Sequence, residues 1–453
     1  MNLLAKSAHI SSRVLTFLQA RHGQTAMNAS VTRKLLVGVS ALVLVQPMFG
    51  PGTPAGQAHA DGSLGDSDHA PVGVLPGDPL NRLGVTAGDL REAGSNPKIR
   101  YLGMTRFLDK ARAVVTGTLD DSSDFVPRAI DALDKYGIKA TIAVSTQREP
   151  ISRLWERLRE AISSGHEVAS HSRRHQCQWP DPESFCREAY SQDEIVGSRD
   201  DILGKTEQPY VWTWVYPCGN CADYEFVHRR LMQAGYLVAR NYPDERRGGI
   251  LVPDLQTWAR DPYNAGFTQV VQKKGGVAPA GRTDLTDLNA KFDEVYKGEA
   301  GSGNSINKTF GGGIYHFMSH PQWLDYGPDK FFEQHLAYLG GRPDVWYVPM
   351  GPLYAYQVVS ENTVVRPIKP KDGWVRFAVY HSLDPAIYNN SVTLEFRVAG
   401  GGKLEARSAG APLPERESKQ LTDRWNVKYF RRAGESALVT VRPNTIVELR
   451  LID

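Results

Sequence analysis

The 453-residue chain is short of several things, and each shortage removes a class of protein. Charge of one sign is scarce: 53 Lys and Arg against 50 Asp and Glu leave a formal net charge of +3, too small to imply nucleic acid or an anionic membrane as partner. Cysteine is scarce too, four residues in all, and only one pair has finger-like spacing, which disfavours a cysteine zinc site. No glycine-rich phosphate loop and no internal repeat are apparent, so neither an open dinucleotide-binding sheet nor a repeat array is favoured. The apolar run over 35–45 is too short to span a bilayer.

That run does resemble the middle of an export signal. Arg33-Lys34 precedes it and Ala58-His59-Ala60 follows, a charged segment, an apolar segment and a small-residue cleavage site in the usual order. Residues 1–60 therefore read as an N-terminal extension plus secretion signal cut before Asp61. Met27 makes a more conventional start, so the first 26 residues read as an over-extended frame. Export predicts a secreted, periplasmic or cell-envelope protein with no stable membrane insertion once the signal is gone. In an oxidising compartment four cysteines suggest two disulfides. The short spacings favour Cys177–Cys186 and Cys218–Cys221, with crossed pairing open.

Residues 61–98 are rich in Gly, Pro, Asp and Ser without a sustained period and read as a linker. From 99 to 358, β-branched apolar runs alternate with segments of helical period: strands over 113–118, 140–145, 167–170, 211–216, 236–241, 257–260, 313–319 and 344–349, and helices over 126–136, 151–164, 189–203, 224–234, 284–296 and 330–339. Strand and helix in alternation specify a parallel sheet with right-handed crossovers, and the number of units favours a barrel. Residues 362–453 change texture to short alternating runs over 374–380, 392–398, 438–441 and 446–451, separated by Gly, Pro and Asn. They predict a small antiparallel β domain. The fold class is thus α/β: a distorted (β/α)7-type barrel followed by that domain.

The polar clusters fall where strands end, as active-site residues of barrels do. Asp120 and Asp121 close the first strand, and the turn-like Asp121-Ser122-Ser123-Asp124 lets both carboxylates serve one site. His171-Ser172-Arg173-Arg174-His175 follows the strand over 167–170, with two imidazoles spaced to face one point on a helical turn. Alone, each motif is more often a solvated turn. Together, one aspartate of that pair, His171 and His175 are ligands suited to a divalent metal, zinc first among candidates, while the other carboxylate stays free as a base. His320, held extended by Pro321, supplies an acid, and His316, deeper in the same strand, reads as a packed histidine. Trp179, Trp212, Trp214 and Tyr216 lie near these loops, as sugar-stacking or core residues.

The set resembles the NodB-type polysaccharide deacetylases of carbohydrate esterase family four, over about residues 100–356. Thr118-Leu119-Asp120-Asp121 resembles the family's first motif, Thr-Phe-Asp-Asp; His171-Ser172-x-x-His175 matches the second; Gly137-Ile138-Lys139-Ala140-Thr141 resembles the stretch between. The resemblance implies Asp120 as general base, Asp121, His171 and His175 as metal ligands, and His320 of Met318-Ser319-His320 as acid.

Two departures stand out. Val215-Tyr216-Pro217-Cys218-Gly219 replaces the usual Arg-Pro-Pro-Tyr-Gly, so the arginine that tunes the base is missing at Val215. The Cys218 backbone N–H retains the role of oxyanion donor, which needs no particular side chain. The Asp-Trp motif that supports the acid is not recognisable, with Asp244, or Asp261 beside Trp258, as replacements. The expected function is metal-dependent removal of acetyl groups from an acetylated polysaccharide, N-acetylated amino sugars first. An O-acetyl esterase of the same fold and a glycan-binding pseudoenzyme are the alternatives.

Overall fold

The structure, a computed structural model, describes residues 73–242, 262–273, 281–282, 284–298, 313–416 and 425–452. The signal, the strand expected over 257–260, and Asp244, Trp258 and Asp261 lie outside them. Among the described residues no helix is long and apolar enough to cross a membrane.

The strands run in chain order as β1 (Ile99–Met104), β2 (Ala113–Asp120), β3 (Thr141–Val144), β4 (Glu167–Ser170), β5 (Thr213–Val215), β6 (Val238–Arg240), β7 (Gln269–Val271), β8 (Gly281–Arg282), β9 (Ile314–Ser319) and β10 (Val345–Tyr347). Those from β2 to β10 form one parallel sheet in the order β6-β5-β4-β3-β2-β9-β7-β8, with β10 beside the first residues of β2. The sheet curls until its ends meet: Ala265, just before β7, bridges Arg240 of β6 and exchanges backbone hydrogen bonds of 2.9 Å with Ala239 and Asn241. This is the distorted (β/α)7-type barrel. Helices Val126–Lys135, Ile151–Ser163, Gln192–Lys205 and Glu225–Gln233 join its strands. Their apolar stripes pack on the outward residues Val115, Leu119, Ile142, Val144, Val168 and Trp214.

The antiparallel strands are β11 (Val364–Lys371), β12 (Trp374–Tyr380), β13 (Val392–Val398), β14 (Lys403–Ser408), β15 (Ala411–Pro412), β16 (Tyr429–Ala433), β17 (Ser436–Val441) and β18 (Thr445–Ile452). They form two sheets, β1-β13-β17-β16 and β11-β12-β18-β14-β15. The first contains β1, so Ile99–Met104 pairs with Val392–Val398 and not with the barrel that follows it in the chain. Within the expected linker, helices Pro79–Arg82 and Ala87–Arg91 form, and Leu80, Leu83, Val85 and Leu90 pack on Ile368, Ala378 and Tyr380. The helix expected over 189–203 is two, Glu183–Ala189 and Gln192–Lys205.

Helix Met350–Asn362 closes the N-terminal end of the barrel and joins it to the β domain. Its first amides are satisfied from inside the barrel, which an exposed helix end would leave to water: Met350 N–H donates to Thr141 Oγ1 and Gly351 N–H to Glu167 Oε2, both at 2.9 Å. The β domain docks on the same end, where Trp212 Nε1 donates to the Ile387 carbonyl at 2.9 Å and Asn390 Nδ2 to that of Pro352 at 2.8 Å.

The floor of the barrel tolerates no added atom at Gly351, where a Cβ would stand 2.2 Å from Glu167 Oε1 and 2.6 Å from Trp212 Cβ. Gly351→Ala should therefore destabilise by about 1–3 kcal/mol in denaturant unfolding. Gly204→Ala, on an exposed helical position with nothing within 4 Å of the new Cβ, should be neutral or stabilising. Burial raises the Glu167 carboxyl above its ordinary value, against hydrogen bonds from Thr141 and Gly351. A raised carboxyl favours the fold while protonated, so its contribution is lost as pH climbs from the unfolded value of 4.5 through the folded one. Stability measured across that window should fall less steeply in Glu167→Gln than in the parent.

Candidate active site

Side-chain alternation along β2 sends Val115 and Leu119 out to the helices and Thr116, Thr118 and Asp120 into the lumen. β2 ends at Asp120, and the next residue turns sharply: Asp121 has φ 74°. Both carboxylates thereby reach one place.

The histidines arrive by a loop. Residues 171–175 are not helical, contrary to the expectation from i,i+4 spacing; Ser172 and His175 have φ of 64° and 55°. Polar contacts hold this conformation. His175 N–H donates to Ser172 Oγ at 2.9 Å, and the Arg173 and Arg174 amides donate to Glu194 Oε2 at 2.9 and 3.0 Å. Arg173 pairs with Asp201 through two hydrogen bonds of 2.9 Å. Its guanidinium lies over Gly197, where a Cβ would stand 2.5 Å from Cζ. The two arginines are anchors for the loop and not a solvated basic turn.

Asp121, His171 and His175 offer ligand atoms that all lie within 4.8 Å of one another. Asp121 Oδ1 is 3.1 Å from His175 Nε2 and 3.7 Å from His171 Nε2. Zinc ligands in a tetrahedral set stand about 3.4 Å apart, so the spacing suits the ion. His171 Nδ1 donates to the Val215 carbonyl at 2.8 Å, which leaves Nε2 as the lone-pair nitrogen. That nitrogen is buried without a hydrogen-bond partner among the described residues. Burial, helped by the neighbouring His175, pushes the His171 imidazole down to about 4, so it is neutral at physiological pH. Burial alone would raise Asp121, but the polar contact from His175 and the charges of His171, His320 and His175 hold its carboxyl well below the usual range. A neutral imidazole and an ionised carboxylate are the forms that bind a cation, and the donor set fits a divalent metal.

His320 faces this cluster, with Nε2 3.7 Å from Asp121 Oδ2 and the Trp323 ring 3.7 Å from its own, centroid to centroid. Burial lowers its pKa, opposed by Asp120 and Asp121. Its Nδ1 has no partner among the described residues. His316 is fully buried deeper in the lumen, its Nε2 3.2 Å from Thr118 Oγ1, as expected of a packed histidine.

The arginine absent at Val215 is present one strand away. Arg240 on β6 is paired in register with Val215, is fully buried, and contacts Asp120 Oδ2 through Nη2 in a short ion pair. The other oxygen, Asp120 Oδ1, has no partner among the described residues. The sequence signal was a lone Arg in an apolar strand, Leu237-Val238-Ala239-Arg240, an arrangement that demands a buried counter-charge.

The disulfides are the crossed pair, Cys177–Cys218 and Cys186–Cys221, with Cα separations of 6.0 and 5.7 Å. The short-range pairing fails because the two loops lie side by side: Gln178 and Asn220 exchange two hydrogen bonds of 3.1 Å. Cys177–Cys218 thus ties the histidine loop to the Pro217–Gly219 turn. Cys218 has φ 54° there. With all four sulfurs oxidised, no thiolate is available to bind zinc. Of the expected stacking residues, Trp212, Trp214 and Tyr216 are buried in the cores and Trp179 is exposed.

The curled parallel barrel thus carries an Asp-His-His cluster, a second aspartate and a histidine at its strand ends, on the C-terminal face where the active sites of barrels assemble. Residues 108–238 match the family model for polysaccharide deacetylase. Over that segment, less than half of the chain, the protein is similar to the polysaccharide deacetylases. No curated protein matches this chain. Among solved structures, a family 4 carbohydrate esterase from Streptomyces lividans is 16% identical, with 51% of this chain and 86% of that one covered and a TM-score of 0.30. A polysaccharide deacetylase from Bacillus cereus is 12% identical, covering 52% and 91%, TM-score 0.32. A CE4-family pseudoenzyme from Bacillus anthracis is 14% identical, covering 49% and 58%, TM-score 0.28.

Breaking a buried ion pair leaves the surviving charge uncompensated. Arg240→Met and Asp120→Asn should each destabilise, the former by about 3–5 kcal/mol. The double variant should be less destabilised than their sum in denaturant unfolding. Additive losses would mean that the two side chains do not share one interaction.

Proposed function

We propose that the protein is a secreted or cell-envelope, metal-dependent deacetylase that hydrolyses acetyl groups of a polysaccharide, the N-acetyl groups of amino sugars in particular. The observation that carries this reading is the division of labour between adjacent carboxylates. Asp121 faces two histidines, whereas Asp120 has one oxygen held by Arg240 and the other unengaged.

Asp121, His171 and His175 would hold the cation. When bound there, a divalent metal such as zinc polarises the acetyl carbonyl and lowers the pKa of water. Asp120 Oδ1 takes the proton from the attacking water, with Arg240 fixing the carboxylate from the far side. The Cys218 N–H, on a turn tied by the disulfide to the histidine loop, is the proposed donor to the developing oxyanion. His320 delivers a proton to the leaving nitrogen as the C–N bond breaks, giving acetate and a free amine. The adjacent Trp323 ring and Pro321 restrict the orientation of that imidazole.

The reading is tested by acetate release from acetylated glycans with and without chelator. Release should stop on chelation and return with added metal. Asp121→Ala and His171→Ala should lose calorimetric metal binding and activity together. Asp120→Asn, checked for folding, should keep metal binding yet lose about 10²–10⁴-fold in turnover. Full activity in Asp120→Asn would remove it from the role of base, and chelator-resistant release would remove the metal.

A further inference from the structure

Gln322 is a polar side chain at the site with no part in the steps above. It follows His320 in the turn Pro321–Trp323, which is fixed at both ends: Trp323 N–H donates to the His320 carbonyl at 2.8 Å, and the Trp323 ring lies against the imidazole. From this turn Gln322 Nε2 donates to Asp121 Oδ2 at 3.3 Å. That oxygen is the one nearest His320, while Oδ1 faces His171 and His175.

Elementary electrostatics decides which way the amide points. Turned over, its oxygen would meet a carboxylate oxygen, acceptor against acceptor. In the orientation that lets Nε2 donate, Gln322 Oε1 is buried with no hydrogen-bond partner among the described residues. An amide oxygen withdrawn from water and left unpaired is destabilising until a donor reaches it. Among the described residues none donates to it, and Asp121, which holds the other end of the amide, is an acceptor. A hydrogen-bond donor carried by the substrate is the group that would complete the site.

The same corner holds His320, whose proposed task is to protonate the leaving atom. We propose that Gln322 determines the substrate class: its Oε1 accepts the N–H of an acetamido group, so the site selects acetamides over acetate esters. This rests on the deacetylase reading of the site. The chemistry of the two substrates differs at this atom. An acetamide nitrogen carries a hydrogen before the C–N bond breaks and keeps it in the product amine, beside the proton that arrives from His320. An ester oxygen carries none, and its lone pairs would face Oε1 and leave it unpaired. A site built to accept a particular N–H discriminates against an analogue that lacks it.

The test compares one enzyme on two substrates, N-acetylated chito-oligosaccharide and O-acetylated xylo-oligosaccharide, by acetate release. For Gln322→Met, and for Gln322→Asn, which withdraws the amide by one carbon, the ratio of kcat/KM for the N-acetyl over the O-acetyl substrate should fall about 10–100-fold relative to the parent. Metal binding measured by calorimetry should stay near the parental value, which separates loss of substrate recognition from loss of support for Asp121. If the parent deacetylates and the ratio is unchanged in both variants, Gln322 has no part in selectivity and the deacetylase reading stands. Equal losses on both substrates with weakened metal binding would assign Gln322 to holding Asp121 alone and overturn the proposal. A metal-loaded parent that releases acetate from neither substrate would sink the deacetylase reading itself.

Discussion

A buried guanidinium beside a buried carboxylate, Arg240 and Asp120, is the interaction on which the arrangement of the barrel interior depends. Neither charge survives in the lumen alone, so each fixes the other and the strands that carry them. Small side chains from β3, β4 and β5, namely Ala143, Ala169 and Val215, form a cluster of their own. With Oδ2 of Asp120 consumed by Arg240, only Oδ1 is left to act on a ligand. The ion pair therefore determines which oxygen of Asp120 stays unengaged as well as where it stands.

Around that pair, the loops at the strand ends are held in conformations they would not adopt alone. Asp121, Ser172, His175 and Cys218 all have positive φ, at a cost of order 1–3 kcal/mol each. Offsetting contacts are visible in the histidine loop and in the turn that carries Cys218. Glu194 and Asp201 on helix Gln192–Lys205 hold the histidine loop through its arginines. Two disulfides tie that loop and helix Glu183–Ala189 to the turn after β5. The outcome is a set of ligand atoms positioned before any ligand arrives, which lowers the reorganisation a metal or transition state would require.

The β domain stands at the other end of the barrel. Its contacts run through Trp212, Leu353 and Tyr388 to helix Met350–Asn362, on the N-terminal side of the strands whose C-terminal ends carry the site. Its aromatic residues Trp374, Tyr380 and Tyr388 are buried. Trp425 packs edge-on against Trp212, with centroids 6.1 Å apart. Its physical role in this structure is to cover the barrel floor, and β1 and the helices within residues 79–91 are drawn into it from the start of the chain.

The sequence by itself determined the alternating units, the ends of the strands and which side chains stand there, because alternation and helical period are local properties of the chain. Asp120, Asp121, His171, His175 and His320 were legible for that reason. Tertiary structure alone decided what depends on neighbours distant in the chain. Examples are the pairing of β1 with β13, the crossed disulfides, the looped path of the histidines, and the conversion of the solvated-looking Arg173 and Arg174 into anchors. The missing arginine is the clearest case. Motif spacing looks for it at Val215, but the barrel requires only a positive charge within reach of Asp120, and a parallel neighbour in register supplies it from Arg240. A one-dimensional pattern records which strand carries a group, whereas the field at a carboxylate depends only on where that group ends up in space.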